Sequence, residues 1–420
     1  MNATNGTVVQ KYGGSSLSTY DKVNRVAGFA AASHRAGRPT AVVVSARGDT
    51  TDDLLRAVDE VSGEVRGDGV AREIDQLLAT GENASAALVA LAVCRLGVPA
   101  VSLTGAQAGM TGTGRHGAGV ITGIDTGRVR SLLRQGRVVI VAGFQAANEE
   151  GDTLTLGRGG SDTTAVALAA ALDAAECEIY TDVDGVYSAD PRIVPAARRL
   201  PEVDLSTMAE LAFAGARVLH SRAVELAALR DVRLRVLSAF ERGPGTVVMN
   251  RAGDAVLESQ GAVIAVAHDF DVARVLVHSR SGTADAAAEV LEVLARHSVP
   301  LDMVARSGPF EDEFRMGFTI RRSDVEAIRA PLAKAAAELG GGVRVDEELA
   351  KVSLVGTGLL NRPEHVARMV SVLAAESVST SWISTSQLRA SVIVPRTRAL
   401  HAVEVLHRAF GLERDGLLSA

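Results

Sequence analysis

The 420-residue sequence predicts an α/β protein, a mostly parallel β-sheet between helices, followed by two smaller α+β units of βαββαβ type. Three observations lead there. Short β-rich runs alternate with long alanine-rich amphipathic segments over the first 250 residues or so. The composition is 47% hydrophobic but only 3% aromatic, with alanine and valine dominating, which suits helices packed on a parallel sheet. Beyond residue 260, two weakly similar segments, 263–339 and 352–410, each read strand, helix, strand, strand, helix.

Taken in order, strands are expected at 7–10, 40–45, 100–103, 137–142 and 178–180, with glycine- and hydroxyl-rich loops after them. In such sheets ligands bind at the carboxyl ends of the strands. The alternation stops at a turn signal, Glu241 to Thr246, and a polar segment to Gln260 reads as a linker. In the repeats, helices at 286–297 and 363–377 and strands at 315–320 and 387–394 occupy matching places. Paired units of this kind suggest a regulatory or oligomerisation module. The expected domains are therefore 1–248, 262–340 and 350–420, consistent with a chain too long for one core.

A net charge of −6 and the scarcity of aromatic residues argue against a nucleic-acid binder. No apolar run approaches the roughly 20 residues of a membrane span, and the polar start lacks the regions of a signal peptide. A soluble cytoplasmic protein is expected, with Cys94 and Cys177 as buried thiols.

Four segments carry chemistry. Lys11, Tyr12, Gly13 and Gly14 follow the first strand, where a lysine can neutralise charge on a transferring phosphoryl group and the glycines admit a polyphosphate. Neither a Walker loop nor a dinucleotide fingerprint is present. The stretch 153–165 combines Gly157, Gly159 and Gly160 with Arg158, Ser161 and Asp162 ahead of an alanine-rich helix. Glycines adopting positive φ, the helix dipole and a planar guanidinium suit an anion. A plain flexible junction is the competing reading, and Arg158 and Asp162 weigh against it. Loops at 45–52, with Thr51, and at 79–83, with Glu82, bring hydroxyls and a carboxylate toward the same edge, where Glu82 can meet a substrate ammonium. As acidic residues in turns, Glu82 and Asp162 are equally candidates for helix caps. The fourth segment, 180–192, with Asp182, Asp184, Tyr187 and Arg192, resembles a nucleotide clasp rather than a calcium loop. His116 and His220 are isolated, without the spacing of a zinc site. No dedicated metal site is expected.

In this order and spacing, the three motifs at 11–16, 157–167 and 180–187 resemble those of the aspartokinases, members of the amino-acid kinase family, over nearly the whole chain. The resemblance implies an amino-acid kinase domain followed by two ACT domains. It also implies transfer of the ATP γ-phosphoryl group, carried with Mg²⁺, to the β-carboxylate of L-aspartate, the start of lysine, threonine and methionine synthesis. By the same resemblance Lys11 stabilises the transition state, Glu82 and Asp162 hold the substrate ammonium, and Arg158 clamps its α-carboxylate. Thr51, Gly159, Gly160 and Ser161 help position the substrate. The nucleotide falls to Lys11, Tyr12, Gly13, Gly14, Thr181, Asp182, Tyr187, Ser188, Ala189, Asp190, Pro191 and Arg192. The resemblance further implies amino-acid effectors at the ACT domains and a homo-oligomer built through them, with a shorter regulatory chain as a further partner.

Departures from the family pattern are Arg47 and Asn83 near the site, Gly282 to Asp285 and Pro300 in the first repeat, and Glu364, Ser379 and Thr380 in the second. Lost amide donors at effector loops imply weakened or altered feedback inhibition. Two alternatives remain at this stage: a kinase for another small amino acid, and a non-catalytic regulatory or assembly partner.

Overall fold

Continuous runs of valine, isoleucine and alanine build the central sheet, because strands covered by helices on both faces have no polar side. A computed structural model describes residues 6–63, 65, 67–216, 218–250, 263–279, 285–307 and 314–413. These divide into one unit of 1–186, 199–213 and 217–255 and a second of 187–198, 214–216 and 256–420. The expected linker at 251–260 lies outside the described residues.

The chain begins β1 (Val8–Tyr12), α1 (Tyr20–Arg35), β2 (Thr40–Val44), α2 (Thr50–Ser62), α3 (Asp68–Arg95) and β3 (Ala100–Leu103). It continues through β4 (Met110–Thr113), β5 (Val120–Ile124), α4 (Gly127–Arg134), β6 (Val138–Ala142), β7 (Gln145–Ala147), β8 (Thr153–Thr155), α5 (Gly160–Leu172) and β9 (Glu176–Thr181). Then come β10 (Val186–Tyr187), β11 (Arg199–Leu200), β12 (Glu202–Asp204), α6 (Leu205–Phe213), α7 (Ser221–Arg230), β13 (Leu234–Ser238) and β14 (Thr246–Met249).

The main sheet among the described residues has the order β12-β14-β13-β9-β1-β2-β6-β3. From β13 to β3 every neighbouring pair is parallel, whereas β14 runs antiparallel to β13. Lys11 therefore sits level with Val43 and Ile179, and Tyr12 with Val44 and Tyr180. The ends of β1, β2, β6 and β9 share one edge. A smaller sheet has the order β5-β4-β7-β8.

Two helices differ from simple amphipathic expectation. α5 is buried on nearly all sides and so carries Ser161 and Asp162 of its first turn into the interior. α3 continues straight through 79–83, where the sequence suggests a loop. Gly81 is accommodated inside it because an added Cβ would stand 2.9 Å from the Cβ of Ala46. By length and composition α3 is apolar enough to cross a membrane, contrary to expectation, and here it packs against α1, β3 and β6. Glu82 thus lies on a helix, not in a turn. Cys177 is buried as expected, but Cys94 lies exposed on the outer side of α3.

The second unit contains β15 (Val263–Asp269), β16 (Ala273–Ser279), α8 (Asp285–Arg296), β17 (Val304–Ser307), β18 (Phe314–Ile320), α9 (Val325–Glu338) and β19 (Gly342–Asp346). β20 (Leu349–Gly356), α10 (Pro363–Ala375), β21 (Ile383–Thr385), β22 (Arg389–Pro395) and α11 (Ala399–Ala409) follow. They form two four-stranded sheets, β17-β18-β16-β19 and β15-β20-β22-β21. The expected domain limits need correction here. β15, placed in the first repeat by sequence, pairs antiparallel with β20 of the second and buries Ala265, Val266 and Ala267 there. The first module is thus inserted between the first and second strands of the other. A strand's sheet is set by its partner, which local sequence does not specify.

Segment 187–198 also packs into this unit. Ala189 and Val194 join Val352, Leu354 and Leu406 in its core. Ser188 accepts the Val266 N–H through its carbonyl at 2.8 Å, and its hydroxyl lies 2.9 Å from His407 Nε2. Between the two sheets, Asp302 receives Lys351 Nζ at 2.6 Å and an Arg389 guanidinium nitrogen at 3.4 Å.

Candidate active site

β1 ends by presenting Lys11 to the first turn of α5, where Nζ lies 2.6 Å from Asp162 Oδ1. Both side chains are nearly buried, so the pair holds the ammonium at one place on the strand-end edge. An acidic residue in a helix's first turn also complements the dipole there.

The loop leading to α5 turns through Gly157 and Gly159, with φ of 71° and 70°. Those are left-handed values that favour glycine. Gly160 differs from expectation: its φ is not positive, and it is small because an added Cβ would stand 2.8 Å from the Phe144 ring. Arg158 projects between the two left-handed glycines, exposed and with no ion-pair partner among the described residues. Ser161 is buried under Gly143, where any Cβ would meet its hydroxyl at 2.8 Å.

Glu82 reaches the same edge from α3. Its Oε1 accepts the Ala46 N–H at 3.0 Å, just beyond the end of β2, while Ser45 N–H bonds the Tyr12 carbonyl of β1. The side chain is 4% exposed, and Oε2 is buried with no hydrogen-bond partner among the described residues. Burial pushes its pKa up to about 7, opposed by the Ala46 N–H. A desolvated carboxylate with one open oxygen is suited to a cation. Thr51 lies in the first turn of α2.

The expected nucleotide residues are less uniform. Gly13 and Gly14 lie at the end of β1, and an added Cβ on Gly14 would meet the Ala46 carbonyl at 2.7 Å. The Tyr12 side chain, in contrast, is fully buried. It stacks on Tyr180 with centroids 4.5 Å apart, and its hydroxyl donates to Gln10 Oε1 at 3.3 Å. Burial raises its pKa well above the ordinary value, and the side chain belongs to the hydrophobic core. Thr181 donates to Asp182 Oδ1 at 3.1 Å in the first unit. Tyr187, Ser188, Ala189, Asp190, Pro191 and Arg192 belong to the second. There the Ser188 and Ala189 side chains are buried, and Arg192 pairs with Asp190 at 2.8 Å, holding that carboxyl below its usual range.

Sequence reasoning missed Asp75. Its buried carboxylate accepts N–H groups of Gly117 and Thr155 and the Thr155 hydroxyl, and faces His116 Nδ1 at 2.9 Å. The spacing to Glu82 is two helical turns, a visible signal only once 79–83 is read as helix. Arg222 was also missed. It donates to the carbonyls of Leu156 and Gly119 at 2.7 and 2.8 Å. His220 precedes α7, its ring under Gly159.

Comparison with known proteins agrees with this architecture. Residues 6–238 match the amino acid kinase family and residues 352–410 the ACT domain. The chain is 43% identical to an aspartokinase of Mycolicibacterium smegmatis over 97% of both chains, and 40% identical to one of Thermus thermophilus over 97% and 99%. Among solved structures, Escherichia coli aspartokinase III with aspartate and ADP, in the R-state, superposes with a TM-score of 0.76 at 26% identity, covering 96% of this chain and 99% of that one. The same enzyme with lysine and aspartate, in the T-state, gives 0.73 at 26% identity and the same coverage. The family match and the full-length relatives together show that the chain belongs to the aspartokinases of the amino acid kinase family and is an aspartate kinase.

Proposed function

We propose that the chain transfers the γ-phosphoryl group of ATP, entering with Mg²⁺, to the β-carboxylate of L-aspartate, giving 4-phospho-L-aspartate and ADP. The observation that carries this reading is Glu82, a buried carboxylate with one open oxygen at the edge where the Lys11–Asp162 pair and the Arg158 loop also lie. Glu82 takes the substrate ammonium and Arg158 the α-carboxylate, which orients the β-carboxylate toward the phosphate. That carboxylate is ionised at neutral pH and attacks the γ-phosphorus without a general base, while the bond to the β–γ bridging oxygen breaks and ADP leaves. Lys11 offsets charge on the transferring group, and Asp162 orients Lys11 rather than serving the substrate ammonium alone. Gly13, Gly14, Thr181 and Asp182 take the nucleotide side. Thr51 and Ser161 support the substrate.

The domain reading that accompanies this is a catalytic domain over 1–248 and two ACT modules, 273–346 and 349–413, the second completed by strand 263–269. Feedback by amino acids is weakened: Pro300 and Ser379 supply no side-chain amide, and Asp302 is committed to Lys351 and Arg389. The departures at 282–284 lie outside the described residues. The modules pair copies of the chain into a homo-oligomer serving aspartate-derived amino-acid synthesis in the cytoplasm.

The test is acceptor profiling with Mg-ATP, trapping acyl phosphate as the hydroxamate. Aspartate should be used, with succinate (no ammonium) and β-alanine (no α-carboxylate) at least tenfold poorer. Equal use of succinate, or preference for glutamate, would refute the assignment of Glu82 and Arg158.

A further inference from the structure

We propose that Asp75 is a positioning residue for phosphoryl transfer. Its carboxylate fastens the Arg158 loop to α3 and so sets the separation of Arg158 from Glu82. The inference rests on the reading of those two residues as the clamps for the two charged ends of the amino acid.

Asp75 and Glu82 lie seven residues apart on α3, on the same face and about 10 Å apart along the axis. The Asp75 side chain is 1% exposed. Its Oδ2 accepts the Thr155 N–H at 2.8 Å and its Oδ1 the Thr155 hydroxyl, and both oxygens lie within 3.1 Å of the Gly117 N–H. His116 Nδ1 faces Oδ2 at 2.9 Å, and since a carboxylate donates nothing, that nitrogen carries the proton.

Thr155 is the last residue of β8, three before Arg158, so this bond fixes the base of the clamp loop. Its other side is held as well. Gly119 N–H donates to the Thr155 carbonyl at 2.8 Å, and Arg222 holds the Leu156 and Gly119 carbonyls. Asp75 thus links this backbone to the helix bearing Glu82 from a buried position, whereas the other tie from α3, Arg72 to Asp152 ahead of β8, is made by a more exposed arginine. Four donors converge on one acceptor-only group. An amide in its place would set its own N–H₂ against one of them and shift the loop, and a misplacement of about 1 Å at a substrate clamp is enough to cost 10²-fold.

The experiment measures KM for aspartate and for ATP, with kcat, on the full-length enzyme and its Asp75→Asn, Thr155→Val, Thr155→Ser and Arg158→Ala variants. The expected result is KM for aspartate raised about tenfold or more in Asp75→Asn and several-fold in Thr155→Val. The hydroxyl-retaining Thr155→Ser stays near wild type, and KM for ATP stays near wild type in all of these. An unchanged aspartate KM in folded Asp75→Asn, or equal rises in both KM values, overturns the proposal. If Asp75→Asn does not fold, Thr155→Val and Thr155→Ser decide, and identical aspartate KM values in the two overturn it. Arg158→Ala separates the levels: an unchanged aspartate KM there defeats the site reading and this inference with it, whereas a raised one beside an unaffected Asp75→Asn defeats the inference alone.

Discussion

Replacing Glu82 with glutamine should stabilise the enzyme while impairing it. The carboxyl group's pKa rises from an ordinary 4.5 to about 7 because α3 buries it beside Ala46. Glu82 therefore binds its proton more tightly folded than unfolded. Its contribution to stability is fully present below pH 4.5 and is lost as pH rises through about 7. At about 1.4 kcal/mol per tenfold change in proton affinity, the cost above pH 7 amounts to about 3 kcal/mol. Glutamine keeps an oxygen for the Ala46 N–H and carries no charge, so it escapes that cost. Denaturant melts of wild type and Glu82→Gln, compared at each pH from 5 to 8, should show a gap that opens across this window to about 3 kcal/mol in favour of the variant. Activity should move oppositely. The wild-type kcat/KM for aspartate should climb as pH passes 7 and the carboxylate becomes charged for the ammonium, and the variant should lose at least tenfold in aspartate affinity. A stability gap that does not change with pH, or a flat wild-type kcat/KM between pH 6 and 8, would refute the reasoning.

Arg158→Lys keeps the charge but not the planar fork, so KM for aspartate should rise about tenfold with KM for ATP unchanged in steady-state assays. Asp302→Asn leaves Lys351, 3% exposed, without its carboxylate, and calorimetry or denaturant melts should show a loss of about 3 kcal/mol or more in the second unit. Turnover in millimolar lysine plus threonine should persist, and abolition by either would show that the effector loops still bind.

The sheet was legible because buried parallel strands announce themselves as apolar runs. The observed β1, β2, β3, β6 and β9 lie within two residues of their expected places. Lys11, Arg158 and Asp162 were legible as types of residue beside glycines, and the ion pair between Lys11 and Asp162 follows from β1 and α5 being neighbours. Other features depend on tertiary contact. Gly81 resembles a turn signal in sequence, yet the approach of Ala46 is what makes glycine fit there, and the mistaken turn hid Asp75. Tyr12 stands next to Lys11 in sequence but on the opposite side of the strand, where Tyr180 covers it. The membership of β15 and of segment 187–198 in the second unit is a matter of long-range pairing, to which local propensity is blind.

The role proposed for Lys11, held by Asp162, is to carry the charge of the transferring phosphoryl group. Its most direct test is the rate of hydroxamate-trapped phosphoryl transfer from Mg-ATP to aspartate by the wild type and by Lys11→Ala, with folding checked by circular dichroism. Aspartate-dependent turnover is expected in the wild type and a kcat lower by about 10²-fold or more in the folded variant. Near-normal turnover by Lys11→Ala would contradict it.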